Sequence, residues 1–151
     1  MSHFHTTAEG IRVDLSREVR LFLGDVLPLL AEIGAPGSDP AADRLHVPVY
    51  LDDPVANEEW WRLMGQDLDD ARQADRAVFQ KVVSGDEPVT LSAEDADAML
   101  RVLNQARLAL GARLGIDVEE DHEELPEDSR QVMDYLAWIQ EELTTELTRT
   151  L

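Results

Sequence analysis

The sequence predicts a mainly α protein, a compact bundle of four to five helices with a small two-stranded β ribbon, about 11–15 with 89–91. Three observations predict it. Apolar residues recur at spacings of three and four over several long stretches, which is the helical period. Two segments, "VDLSRE" from Val13 and "VTLSAE" from Val89, join a short β-prone run to a serine that can cap a helix. At 151 residues, with 44% hydrophobic and 30% charged residues, the chain has the size and composition of a single helical domain, 1–151, with one buried core.

The elements follow in order. His3 and His5 fall in a frayed N-terminus. Ile11 to Leu15 form a strand that pairs with Val89 to Leu91, because lone strands of that length need a partner. Ser16 caps a helix from about Arg17 to Ile33 with Val19, Phe22, Leu23, Val26, Leu30 and Ile33 on one face. Pro28 has no N–H and crowds the carbonyl of Gly24, so a kink or break is expected there. Residues 34–56, with Pro36, Pro40, Pro48 and Pro54, read as a proline-rich loop with a mobile middle.

A second helical stretch runs from about Asn57, its cap, to Val83, and Gly65 offers a point where it could split. Trp61, Met64, Leu68, Ala71, Val78 and Val82 share one side, and Asp75 shares it too. Ser92 caps a third helix, about Ala93 to Leu114, with Ala96, Met99, Leu100, Leu103, Ala106, Leu110 and Leu114 on one face and Gly115 as its stop. Leu108 points nearly the other way, so this helix is expected near the centre. The acidic run at 117–128 reads as a solvated loop. The last helix, about Asp128 to Leu147, places Val132, Leu136, Ile139, Leu143 and Leu147 on a seam that suits its own core, with a homodimer contact as the alternative.

Charge and composition narrow the function. With 32 acidic against 13 basic residues the net charge is -19, which repels phosphate backbones and anionic membranes and favours basic partners. No cysteine is present, which removes disulfides, thiolate metal sites and thiol redox switching. Neither a membrane span nor a signal peptide is visible, so a cytoplasmic address and no membrane partner are expected.

Candidate sites are few. Arg107 falls within the apolar arc of the third helix, and a buried guanidinium must meet a carboxylate or reach water. Asp75, on the apolar side of the preceding helix, is its expected partner in a partly buried ion pair. The alternative places both at the rim. His46 and His122 lack metal-ligand spacing, and no Walker glycine loop, G-x-S-x-G or cysteine nucleophile occurs, so no catalytic residue, no metal and no cofactor is expected. Trp60 diverges by about 100° from Trp61, which can enter the core while Trp60 stays partly exposed, either as a partner contact or covered by the loop.

The stretch "VTLSAEDADAMLRVLNQARLALGARLGI", then an acidic spacer and "YLAWIQEELTTEL", together with "VDLSREVRLFLGDVLPLL", resembles the actinobacterial AosR-like family, formerly a domain-of-unknown-function family whose genes are often adjacent to that of the ClpS adaptor. The pattern L-N-x-x-R-L-A-L-G-x-R-L falls on Leu103, Asn104, Arg107, Leu108, Ala109, Leu110, Gly111, Arg113 and Leu114, while residues 34–56 match weakly. The resemblance implies a non-catalytic regulator of transcription in oxidative stress that works through a protein partner, a basic protein or the transcription machinery. Without cysteine, disulfide sensing does not carry over. Candidate partner contacts are Trp60, Leu143 and Leu147. Direct DNA binding is the alternative, with Arg12, Arg17 and Arg20 its nearest basic patch, and an enzyme is the third reading.

Overall fold

The computed structural model describes residues 2–85 and 87–151. Strands β1 (Phe4–Thr7) and β2 (Gly10–Val13) lead into helices α1 (Arg17–Gly24), α2 (Val26–Ala31), α3 (Pro40–Leu45) and α4 (Pro54–Ser84). Strand β3 (Val89–Leu91) then leads to α5 (Ala93–Arg113), α6 (Glu119–Glu123) and α7 (Glu127–Arg149). Three long helices thus carry the bundle, with short ones filling its corners.

The expected pairing of the two serine-capped segments holds in register, Ile11 opposite Leu91 and Val13 opposite Val89 in an antiparallel ladder. Ser16 accepts a hydrogen bond from the Val19 N–H at 3.3 Å and Ser92 from that of Asp95 at 3.1 Å, so both caps form. At the C-terminus of α5, Gly115 takes φ +78°, the Gly115 N–H donates to Ala112 O, and the Ile116 N–H donates to Gly111 O at 2.9 Å. That pair of bonds is a Schellman cap.

The ribbon has a third strand. β1 pairs with β2 through a tight turn at Gly10, φ +142°, where a Cβ would lie 2.3 Å from Leu91 O. Residues 2–7, expected to fray, are therefore tied to the fold. Glu142 on α7 accepts hydrogen bonds from Ser2 Oγ at 2.6 Å, the His3 N–H, and the Phe4 N–H at 3.2 Å. Thr6 Oγ1 donates to Glu146 Oε2 at 2.9 Å. His3 is buried, edge-on to Trp138 at 5.5 Å between ring centroids. Phe4 joins the core fully buried.

The first helix breaks in two between Gly24 and Val26, one turn before Pro28, where the missing N–H and the ring's crowding of Gly24 act. Residues 34–56 are not a bare loop. Pro40 occupies the first turn of α3, where a missing N–H is harmless, and Asp39 caps it by accepting from the Ala41 N–H at 2.9 Å. Ala41, Ala42 and Leu45 are buried, and α3 packs chiefly on α5. In the same way Pro54 starts α4 behind the cap Asp53, not Asn57, whose side chain instead accepts from the Val49 N–H at 2.7 Å. α4 runs unbroken through Gly65 for 31 residues, about 46 Å. Within 117–128, α6 is a short turn of helix rather than loop.

α5 sits centrally, packed against α3, α4 and α7. Met99, Val102, Leu103, Ala106 and Ala109 are fully buried, with Phe79, Leu23, Ile139 and Leu143 around them. Each such large apolar side chain contributes roughly 1.5–3 kcal/mol by leaving water.

Candidate functional site

The family-like pattern on α5 distributes its polar residues over three neighbours. Arg107 does not meet Asp75. Its Nη1 donates to Gln140 Oε1 on α7 at 2.7 Å. Asp75 pairs instead with Arg101, which donates from Nε at 2.8 Å and Nη2 at 2.9 Å in a two-pronged bond between α4 and α5. The physical reason is the central position of α5. Its apolar arc at Arg107 faces α7, whereas the α4 seam is reached from the flank by the long stem of Arg101.

Arg113 donates to Asp39 Oδ2 at 3.1 Å and to Glu32 O at 3.4 Å, so the end of α5 secures the cap of α3. Asp39 also accepts from the Gly34 and Ala41 N–H groups, and these amides, followed by Arg113, hold its carboxyl down at about 2. A Cβ at Gly111 would meet Met133 at 3.7 Å, ordinary contact, so close packing does not demand glycine there. Asn104 is exposed and lines a cleft of about 440 Å³ between α4 and α5 with Val47, Asp75, Arg101 and Leu108. Asn104 and Leu108 are thus the pattern's outward-facing part.

The scarce cations mostly serve the fold. Arg20 Nε donates to Leu15 O, Nη1 to Val82 O at 3.0 Å and Nη2 to Glu87 O, which takes it out of the Arg12, Arg17 and Arg20 patch. Arg44 Nη2 bonds Ile116 O and Asp117. A groove of about 690 Å³ beside Arg107 is lined by Thr144, Thr148 and Arg149, but both hydroxyls donate back to helix carbonyls and Arg149 is paired with Glu146.

The partner contacts proposed on the last helix shift elsewhere. Leu143 is fully buried in the chain's own core and the partly buried Leu147 packs against that core, so the seam faces α5 and β1. Trp60 is half-buried, and Trp61 does not enter the core either. Its ring stacks under His46 at 3.5 Å between centroids and meets Trp60 edge-on at 5.0 Å.

The tryptophans mark the base of an exposed arm. Along α4 the buried residues are Asp75, Phe79, Val82 and Val83, all in the C-terminal third, and no residue of the preceding turns is buried. Seven of the twelve exposed large apolar residues among the described residues lie between Val47 and Met64, with Leu51 at 84% and Leu63 at 60% exposure. Between 47 and 70 they are interleaved with seven carboxylates against Arg62, itself paired with Glu59. The signal in the sequence was the stretch "EEWWRLM", whose apolar residues cover more of the helix than one core-facing stripe requires.

No described helix is long and apolar enough to cross a membrane. One protein-family model, described as a domain of unknown function (DUF2017), matches residues 1–147. Neither the curated proteins nor the solved structures contain a match to the chain.

Proposed function

The chain belongs to the DUF2017 family, and from that premise we propose that it is a non-catalytic regulatory protein acting through protein–protein contact, with the arm formed by residues 47–64 as its docking surface. The observation that carries this reading is the concentration of exposed Val47, Tyr50, Leu51, Val55, Leu63 and Met64 on one segment. Apolar patches of this kind mark interaction sites. The surrounding carboxylates select a basic partner surface and disfavour both DNA and a second copy carrying the same charge. The resemblance of the α5 pattern to AosR-like oxidative-stress regulators supports the transcription machinery as the partner and the cytoplasm as the place. With no cysteine in the chain, an oxidative signal reaches it through that partner rather than through a thiol.

The test is co-elution of the purified protein with RNA polymerase holoenzyme, compared with a Leu51→Ser/Leu63→Ser variant. The reading expects co-elution that the variant loses, and no shift of labelled promoter DNA by the protein alone. A salt-dependent DNA shift that the variant retains would replace it with direct DNA binding.

A further inference from the structure

Away from the arm's apolar face, α4 carries two arginines that line one cleft with no carboxylate bonded to either. Arg72 and Arg76 lie one turn apart and line a cleft of about 410 Å³ whose far wall is the α2–α3 connection at Gly34, with His46 and Gln73 beside them and Asp69 at the rim. Arg72 Nη2 donates to Leu45 O at 2.9 Å. Arg76 Nη2 reaches Gln105 Oε1 only at 3.5 Å, and its Nε is buried without a partner. Among the described residues neither arginine forms an ion pair, a state they share with Arg20 and Arg107, but Arg72 and Arg76 are a turn apart on one cleft.

Two like charges at this helical spacing repel, and a half-buried guanidinium without a counter-ion is costly. Burial first, and the charge of Arg72 second, push the Arg76 guanidinium below its ordinary value, against the weaker pull of Asp69. Two guanidiniums lining one cleft, with neither bonded to a carboxylate and one Nε buried without a partner, suit an anion from outside.

We propose that this cleft binds an oxyanion, the phosphate or carboxylate group of a small molecule, gripped by Arg72 and Arg76. Planar guanidinium forks present parallel N–H groups at the spacing of two oxyanion oxygens. The volume lies within the range of about 300–1,000 Å³ usual for small-molecule sites. The site is separate from the docking reading above and does not depend on it. His46 both lines the cleft and stacks on Trp61, so occupancy is reported by indole fluorescence.

The experiment is thermal unfolding and tryptophan fluorescence of the full chain titrated with inorganic phosphate, with citrate, and with sodium chloride at matched ionic strength. At about ten times Kd, phosphate or citrate raises the midpoint by about 3 °C beyond the chloride control and changes the fluorescence. A response to phosphate alone assigns a phosphate ligand, and a response to citrate alone a carboxylate ligand. Arg76→Gln abolishes the response while leaving the unliganded midpoint equal to or above that of the wild type, because a charge without a counter-ion has been removed. Arg101→Gln, which breaks a paired clamp, lowers the midpoint but keeps the response. The proposal is overturned if neither anion exceeds chloride, if Arg76→Gln retains the shift, or if Arg76→Gln lowers the midpoint as Arg101→Gln does.

Discussion

Arg101 grips Asp75 through two parallel hydrogen bonds, 2.8 and 2.9 Å, and so joins the exposed flank of α5 to the point where α4 enters the core. Asp75 is 9% exposed, and the paired charge allows a carboxylate to sit on the wall of a cleft it shares with Leu68, Ala71 and Leu108. Arg101→Ala should destabilise the fold by about 1–2 kcal/mol, less than a fully buried pair because the arginine stays half in water. A double-mutant cycle in urea unfolding checks it. Coupling of Asp75 with Arg101 should be about 1 kcal/mol, and that of Asp75 with Arg107 within about 0.5 kcal/mol of zero.

The β1 strand hangs on two carboxylates of a helix some 140 residues away, Glu142 beneath the backbone of His3 and Phe4, and Glu146 beneath Thr6. Glu142→Ala leaves those N–H groups without an acceptor, at a cost of about 1–3 kcal/mol. Amide hydrogen exchange should accelerate over 4–7 while the 11–13 ladder with β3 stays protected. Unchanged protection at Phe4 would contradict this anchoring.

Asp39, held at about 2 against its usual 3.8, couples the α3 cap to acid. A carboxyl depressed in the folded state contributes stability above the unfolded pKa and loses it as pH falls through the folded one. The stability advantage of the wild type over Asp39→Asn should therefore be constant above about pH 5 and shrink between about pH 4 and pH 2. Unfolding free energies of both proteins across that window provide the check, and a gap independent of pH would refute the assignment.

Gly111 sits inside α5 with room for a methyl group. Gly111→Ala should raise stability by about 0.5–1 kcal/mol, since helical alanine loses less chain entropy. A loss of more than about 1 kcal/mol would mean that α5 and α7 pack more tightly at this position than the 3.7 Å approach to Met133 implies.

What could be read from the sequence was local. Ser16 and Ser92 announce their helices within four residues, Gly115 announces a C-cap, and the seam of α7 repeats at five positions, so α1, α5, α7 and the β2–β3 pair were all visible. The rest depended on distance or on ambiguous punctuation. Pro40 and Pro54 read as loop residues because proline both breaks helices and begins them, and only the caps Asp39 and Asp53 distinguish the two uses. Strand β1 was hidden because its acceptors lie on α7, and Arg101 was overlooked because an exposed position gives no hint that its stem reaches a buried carboxylate. The arm, with its neighbouring arginine cleft, escaped because a helix that extends beyond its core looks in sequence like one that stays within it.

Photo-crosslinking from a reactive residue placed at Leu63, with a second at Glu141 on α7 as comparison, tests the docking surface most directly in living cells. The account predicts that position 63 captures a basic protein partner, identifiable by mass spectrometry and lost when Leu51 is changed to serine, while position 141 does not. Capture from position 141 with none from 63, or capture of nucleic acid at either, would contradict it.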